Sequence, residues 1–362
     1  MVFTCARAMR PVGATVGMLH CPARPAPALP RARPARSRRA AMTASPRRRV
    51  LAVLPLALAL ACSRPARTLP EVKVHVASDL PAEVLADVAA RFGVAKVVPV
   101  AAAADAELAW VGDPAQALAL GERLVAGSAP AAEDVPARWR DPKRRFAPLG
   151  ARARVLLVSP AARLPFSPSN LRDLADPRAR GRISVVPFGR GAGPVTIAAL
   201  VLAYGGESAG RFLSLVARNE PQLADADAEV RARVASGQAT FGLAGSLEGA
   251  AAAASATPLE VVYPDQLGSG AVALPTAVAL LGGASDAARA LAAWLAGPDA
   301  ERVLVARIPG LLPLRAEVPV PVGVEPAGNI VSLPFDWDAL AAETGKQRAR
   351  LERWPEGFTE RK

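Results

Sequence analysis

The sequence predicts an α/β fold with a mostly parallel sheet, preceded by a short export signal. Runs typical of strands alternate with segments of helical periodicity over residues 71–307, and such alternation indicates βαβ units. Ahead of these runs stands RRRVLAVLPLALALACS, in which an arginine cluster precedes about a dozen apolar residues. This layout is typical of a secretory signal, so the α/β part is interpreted as exported.

The apolar run Val50–Ala61 is too short to span a bilayer, which needs about 20 residues. Residues 42–61 are therefore predicted to be a signal peptide. Residues 1–41 contain many arginines, prolines and alanines and no acidic residue, so they are predicted to be a non-structural N-terminal extension. An organelle transit peptide is the alternative for this Arg-rich, acid-poor segment.

The signal ends in Leu58-Ala59-Leu60-Ala61-Cys62, which resembles the lipobox of bacterial lipoproteins. That family usually has leucine three residues before the cysteine, where this chain has alanine. The resemblance implies that Cys62 is lipidated, that residues 62–70 form a tether, and that the protein is anchored at the periplasmic face of the cell envelope. The alternative is an incidental cysteine behind an ordinary signal peptide.

The net charge of +12 comes almost entirely from the N-terminal segment. Residues 1–61 hold 11 of the 44 Lys and Arg and none of the 32 Asp and Glu, which leaves 33 basic against 32 acidic residues. We therefore expect no nucleic-acid partner. Cys5 and Cys21 precede the signal and Cys62 is the proposed lipid site, so the exported part has no disulfide and must depend on its apolar core.

The first half of the α/β part places four candidate ligand-binding residues at the carboxyl ends of predicted strands. Strands are predicted at 71–76, 95–100 and 107–111, with helices that begin near Pro81 and Pro114. Ligands on such sheets bind where strands lead into helices. The candidates are Ser78, Asp79, Trp110 and Asp113. The alternatives are helix N-capping for the polar residues and a core position for the tryptophan.

The second half follows a polar, proline-rich passage at 129–148 that is predicted to lie on the surface. The predicted strands cover 152–158, 183–188, 239–244, 260–264 and 276–282, and the helices cover 194–204, 209–217, 229–235, 286–294 and 298–307. The strand at 260–264 is expected to cross back to the first half.

A glycine loop, Gly189–Gly193, opens the helix that starts near Pro194. Free backbone N–H groups and the positive end of the helix dipole suit an anion there, and we predict that Arg190, Gly191 and Thr196 contribute. The loop lacks the lysine of a Walker A motif. The alternative is a turn that only packs the helix on its strand.

The series RARVLLVSP, NLRDLADPRARGRISVVPFGRGAGPVTIAAL and RVASGQATFGLAG resembles the iron(III)-type extracellular solute-binding proteins of ATP-binding-cassette importers. The resemblance runs from about Val72 to Arg315, and FDWDALAAETGKQRARLERW resembles the family's tail. It implies a two-lobed periplasmic-binding-protein type II fold with two crossover strands. Lobe 1 would comprise 71–157 plus 262–300, lobe 2 would comprise 158–261, and 301–362 would pack across both.

One departure from that family concerns its ligand. The paired tyrosines that bind ferric ion fall at Gly245-Ser246-Leu247-Glu248, so Ser246 and Glu248 take their place as candidate ligand-binding residues. The family's histidine and carboxylate positions fall at Asp79 and near Asp113. Three carboxylates favour a hard cation or an amine, whereas the glycine loop favours an anion. The sign of the ligand's charge stays open, and no metal or cofactor is assigned.

The expected function is that of a monomeric solute-binding component of an importer, which captures a small ion or polar solute between two lobes. Hinge closure would follow from tighter binding to the closed form, and a membrane permease would be the partner. No catalysis is expected, because residues 62–362 contain one histidine, His75, and no zinc or nucleophile motif. The alternatives are a ligand sensor, an envelope scaffold, or a hydrolase that uses two of Asp79, Asp113 and Glu248.

Overall fold

The computed structural model describes residues 68–161, 163–256, 258–321 and 324–358. The predicted signal peptide, Cys62 and most of the predicted tether lie outside the described residues. No helix in the described ranges has both the length and the apolar character needed to cross a membrane.

Strands and helices alternate through most of the described chain, as the periodicity predicts. The strands are β1 (Glu71–Val76), β2 (Lys96–Val100), β3 (Leu108–Val111), β4 (Ala147–Val158), β5 (Ile183–Val185), β6 (Gln222–Leu223), β7 (Phe241–Gly245), β8 (Glu260–Val262) and β9 (Ala273–Leu280). The helices are α1 (Ala82–Arg91), α2 (Pro114–Leu118), α3 (Gly193–Tyr204), α4 (Gly206–Arg218), α5 (Asp227–Ala235), α6 (Ser246–Ala253), α7 (Asp286–Leu295), α8 (Pro298–Arg307) and α9 (Trp337–Arg350).

The sheet is mixed, which corrects the expectation of a mostly parallel one. Its strand order is β2-β1-β3-β9-β4-β7-β5-β6, and β8 pairs with β4. The two flanks are parallel, but β9 runs antiparallel to β3 and β4, and β4 runs antiparallel to β7. The sheet is mixed because the strands that pass between the two halves pair in its centre, with partners distant in sequence.

Strand β4 belongs to both halves of the molecule. Its first part pairs with β9 as far as Ala153, opposite Ala273. From Arg154 onward it pairs with β7, and from Leu156 with β8. The chain returns through β8 and the segment 263–272 into β9. These two passages are the crossovers of a two-lobed fold, with β1, β2, β3 and β9 in lobe 1 and β5, β6, β7 and β8 in lobe 2.

Helix α3 contributes to the hydrophobic cores of both lobes, which the predicted boundary at 158 does not anticipate. Ala198 and Ala199 pack in the core of lobe 1, whereas Ile197 and Leu200 pack in that of lobe 2. Most residues of α3 are therefore buried. The helix lacks the polar face of an amphipathic helix.

The C-terminal segment also contacts both cores. Trp337 and Leu340 belong to the lobe 1 core, and Leu351 and Trp354 belong to the lobe 2 core. Helix α9 lies against α2 and α3. Asp336 caps it by accepting a hydrogen bond from the Ala339 N–H at 2.8 Å.

The passage 129–148 lies at the surface, with many exposed polar residues, but several of its side chains are anchored in the core. Val135, Trp139 and Phe146 are at most 2% exposed. The Asp141 carboxylate, also buried, accepts hydrogen bonds from the N–H groups of Arg145. A few irregularly spaced apolar residues therefore suffice to anchor this loop. Because their spacing is irregular, the sequence gives no periodic signal of their burial.

Candidate functional site

A cleft of about 300 Å³ lies between the lobes, beside the centre of β4. Its walls are loops at the carboxyl ends of parallel strands, as expected for an α/β sheet. Lobe 1 contributes the loop after β1, and lobe 2 contributes the loops after β5, β6 and β7. A much smaller cavity of about 30 Å³ adjoins it beneath Arg152 and Arg154 and reaches Asp113 and Gln116.

Two arginines of β4 lie at the base of this cleft. Arg152 and Arg154 are two residues apart on the strand, so both side chains leave the same face. They stand on either side of Ala153, where β4 exchanges β9 for β7 as its partner. The sheet therefore presents two guanidinium groups side by side at the point where the chain passes between lobes.

Arg154 is held by lobe 2. Its Nη1 donates to Asp227 Oδ2 at 2.8 Å, and that oxygen also accepts the Gly245 N–H at 2.8 Å. Asp227 is the first residue of α5, where the helix dipole favours a negative charge. The Nε of Arg154 is buried and has no hydrogen-bond partner among the described residues. This arginine is fixed in place and retains an unused donor.

Arg152 is paired with lobe 1. Its Nη1 donates to Asp79 Oδ2 at 2.5 Å, and the Asp79 side chain is 42% exposed. The pair packs over Gly112, where an added Cβ would lie 2.8 Å from Arg152 Nη1 and 3.2 Å from Asp79 Oδ2. A glycine at 112 thus makes room for the ion pair.

Asp113 lies under the cleft as the N-cap of α2. Its carboxylate accepts the Gln116 N–H at 2.9 Å and the Gln116 Nε2 at 2.8 Å. Burial raises the pKa of Asp113 above its ordinary value, and the two hydrogen bonds oppose that rise. Both carboxylate oxygens are used within the helix turn, as the N-cap alternative predicts.

Three further predicted residues line the cleft. Arg190 is exposed, and its Nη1 lies 3.4 Å from Asp225 Oδ1. Gly191, next to it, has a φ of +52°. Glu248 accepts a hydrogen bond from Arg231 Nε at 2.7 Å. With Asp79, these residues bring both lobes and both charge signs to one cavity.

The structure does not bring four predicted residues to the cleft as free ligand-binding groups. Trp110 is fully buried, and its Nε1 donates to Thr276 Oγ1 at 3.0 Å. The Thr196 hydroxyl donates to the Ala192 carbonyl at 2.6 Å inside α3. The Ser246 hydroxyl donates to the Gly310 carbonyl at 2.7 Å. Ser78 is exposed but lines neither cavity at β4. Internal hydrogen bonds and core packing thus account for the first three.

Sequence reasoning missed three charged residues of the site. The pattern places Arg152 and Arg154 in a buried strand, and Asp227 two residues before the helix predicted at 229–235, whereas α5 begins at Asp227. The available signal was RAR, because two arginines at a spacing of two put two charges on one face of an otherwise apolar strand.

A metal site is not assembled in the cleft. The described residues contain no group of three or more His, Cys, Asp and Glu able to hold a metal ion. Neither tyrosine lines the cleft: Tyr204 lines a different cavity, and Tyr263 is partly buried against two apolar clusters, where burial raises its pKa to about 12. With its carboxylates already paired to arginines, the cleft is better suited to accept an anion by exchange than to coordinate a bare cation.

A larger cavity of about 450 Å³ lies in lobe 2, between α3, α4 and the loop 265–269. Its lining includes Tyr204, Phe212 and Leu267, the last with a fully exposed side chain. It shares no residue with the cleft at β4 and has no wall from β1 or β3. Closure of the two lobes would not enclose it, so the cleft at β4 is the better candidate for a ligand site between the lobes.

Solved structures of iron-binding proteins share this fold. A ferric binding protein from Campylobacter jejuni is 17% identical with a TM-score of 0.67, and the match covers 78% of this chain and 98% of that one. A Trichodesmium protein in complex with iron and citrate is 18% identical with a TM-score of 0.66 and the same coverage. A Bordetella ferric binding protein is 20% identical with a TM-score of 0.62, covering 80% and 100%. At these identities the likeness shows the fold alone.

No match was found among curated proteins. The sequence profile of bacterial extracellular solute-binding proteins matches residues 110–332, which is more than half of the chain. That range contains both crossovers and most of the cleft. The mixed two-lobed sheet and the charged cleft at its centre fit the same assignment, and the chain belongs to the bacterial extracellular solute-binding protein family.

Proposed function

We propose that this chain captures a small solute with an anionic group, and delivers it to the permease of an ATP-binding-cassette importer. The family supports capture of a small ligand outside the cytoplasm and a permease partner. The observation that carries the anion is the pair Arg152 and Arg154 at the base of the cleft, together with the unused buried Nε of Arg154. A guanidinium presents paired donors that match carboxylate and phosphate oxygens.

The N-terminus of α3 adds donors to the same cavity. The backbone N–H groups of Gly191 and Ala192 have no hydrogen-bond partner among the described residues, and both residues line the cleft. The helix is 12 residues long, so its dipole also favours a negative charge at this end. An oxyanion bound here would contact Arg152 and Arg154 of β4 on one side. On the other side it would contact the backbone N–H groups of Gly191 and Ala192 in lobe 2.

The tyrosine positions argue against ferric ion as the bare ligand. Within Gly245-Ser246-Leu247-Glu248, where the family's paired tyrosines fall, the Ser246 hydroxyl donates to the Gly310 carbonyl and Glu248 accepts from Arg231. Neither supplies a phenolate, and neither Tyr204 nor Tyr263 lines the cleft. Hard ferric ion needs several anionic oxygen donors, which this lining supplies only by giving up its ion pairs.

Delivery requires hinge closure about β4 and the return segment, with lobes bounded as the resemblance implies. A solute that contacts β4, lobe 1 and the loops of lobe 2 binds the closed form more tightly and shifts the population toward it. We further propose a monomer attached to the envelope by lipid on Cys62, and a function that requires no catalytic step. A ligand sensor built on the same fold would use the same capture step.

The test is a thermal-unfolding screen of the full-length protein at low ionic strength. Probes are inorganic phosphate, sulfate, acetate, succinate and citrate, with putrescine and divalent metals as cations. Binding to the native state stabilises it by about 2.7 kcal/mol at a hundredfold excess over Kd. We expect at least one anion to stabilise the wild type, and Arg152→Ala and Arg154→Ala to lose that shift.

The matched control is Arg218→Ala, which removes an exposed arginine at the end of α4 without touching the cleft. Arg218→Ala removes one positive charge, as each cleft substitution does, but it leaves the site intact. It should therefore retain the stabilisation by the anion. Stabilisation by cations alone, or an anion shift that survives both cleft substitutions, would contradict the proposed anion site.

A further inference from the structure

The two arginines of the cleft are held with unequal strength. The Arg154 and Asp227 side chains are 10% and 24% exposed, and Asp227 also accepts a backbone N–H. The Arg152 and Asp79 side chains are 17% and 42% exposed. Ion pairs that reach water contribute little to stability, because solvent screens them.

Asp79 has few other ties. It lies in the loop between β1 and α1, and its hydrogen bond from Arg152 is the one side-chain bond it makes among the described residues. Arg152 likewise makes this single bond within the described ranges, although a guanidinium carries five N–H donors. The pair therefore contains a replaceable carboxylate and an arginine with donors to spare.

We infer that Asp79 is an internal competitor for the solute: its carboxylate occupies Arg152 in the empty protein, and capture exchanges it for the solute's anionic group. The inference rests on the proposed function, since it concerns the same site. Exchange keeps Arg152 paired throughout, so no buried charge is left alone. Asp227 stays on Arg154, because releasing it would also leave the Gly245 N–H without its acceptor.

Competition of this kind sets which solutes bind. An anion that makes one contact with Arg152 replaces the Asp79 contact by an equivalent one and gains nothing. An oxyanion that spans Arg152 and Arg154, or accepts two parallel N–H bonds, gains more than is lost. Asp79 would thus favour phosphate-like and multidentate carboxylate groups over simple monodentate anions.

The experiment measures the Kd of full-length protein for inorganic phosphate and citrate by calorimetric titration at low ionic strength, on the wild type, Asp79→Asn, Arg152→Ala and the double variant. Asparagine keeps the shape of the side chain and removes its charge. We expect Asp79→Asn to bind about two- to fivefold more tightly, which matches the strength of an exposed ion pair. Arg152→Ala should lose measurable anion binding, and adding Asp79→Asn to it should not restore binding, because Asp79 competes only for Arg152.

Glu83→Gln is the matched control, because Glu83 is a nearby exposed carboxylate on α1 with no side-chain bond among the described residues. It should leave Kd unchanged, which separates competition from a general loss of negative charge. Weaker or unchanged binding in Asp79→Asn, with anion binding still lost in Arg152→Ala, would overturn the competitor inference and leave the anion site intact. A wild type that binds no anion would overturn the anion site and the inference together.

Discussion

Arg154 on β4 and Asp227 at the start of α5 are joined by an Nη1 to Oδ2 contact of 2.8 Å, where the crossing strand enters lobe 2. The aspartate also accepts the Gly245 N–H, so one carboxylate ties β4, β7 and α5 together. Asp227 therefore positions Arg154 and also holds these three elements of lobe 2 together. Binding geometry and lobe stability therefore depend on a shared contact.

We predict that Asp227→Asn lowers the free energy of unfolding by about 1–3 kcal/mol, because it leaves a mostly buried guanidinium without its anion. Denaturant unfolding of Asp227→Asn, Arg154→Met and the double variant measures the coupling energy between the two residues. Part of the loss should be recovered in the double variant, since neither charge then remains unpaired. Strict additivity of the two losses would show that the pair is not coupled.

Trp110→Phe should destabilise the protein by about 1–2 kcal/mol through the lost bond to Thr276 and a small cavity. The indole is fully buried in the lobe 1 core, so anion affinity should be unchanged. Denaturant unfolding and an anion titration of the same sample test both parts. A selective loss of affinity at full stability would restore this tryptophan to the ligand site.

The sequence predicts local elements where caps and periodicity agree. The helix at 298–307 matches α8, since Pro298 occupies its first turn and apolar residues face the core. The antiparallel centre of the sheet was not predictable in this way. It forms because β9 pairs with β3 and with β4, and partners this distant in sequence leave no local pattern.

For the candidate site, chain order explains both the successes and the failures. Asp79, Arg190 and Glu248 come together because parallel strands end at one edge of each lobe. Ser246 has the same local context, yet its hydroxyl binds the Gly310 carbonyl, 64 residues away. A hydroxyl free for a ligand and one used by a distant carbonyl look alike in sequence, so this distinction needs the structure.

Asp134 predicts a dependence of stability on acid pH. Its hydrogen bonds from Arg315 lower the pKa of the carboxyl below its ordinary value of 3.8. The contribution is therefore present above that value and is lost as the pH falls through the folded-state pKa. Thermal unfolding from about pH 5 to about pH 2 should fall less steeply in Asp134→Asn than in wild type. Asp105→Asn, an exposed aspartate with no ion pair among the described residues, should follow the wild type, and equal slopes for all three would refute the assignment.

The proposed lipid attachment at Cys62 predicts that Cys62→Ser changes the location of the protein. In a bacterial host the wild type should sediment with membranes, and the variant should be recovered in the soluble envelope fraction, because more than one acyl chain gives stable anchoring. Mass spectrometry of the N-terminal peptide should find a modified cysteine as the first residue. An unmodified Cys62, or equal membrane fractions for both proteins, would favour an ordinary signal peptide.

Gly310 tests how the C-terminal segment is seated on lobe 2. It has a φ of +86°, and an added Cβ would lie 2.2 Å from the Ser246 carbonyl oxygen, which is backbone and cannot rotate away. Gly283 has a φ of +85° with no atom within 4 Å of the same position. Both alanine variants bear the strain of a positive φ, about 1 kcal/mol or more. We predict that Gly310→Ala is destabilised by about 1–3 kcal/mol beyond Gly283→Ala, because it alone must displace α6 from the segment after α8. Chemical denaturation of the two variants gives this difference, and equal losses would mean that the contact between Gly310 and Ser246 relaxes without cost.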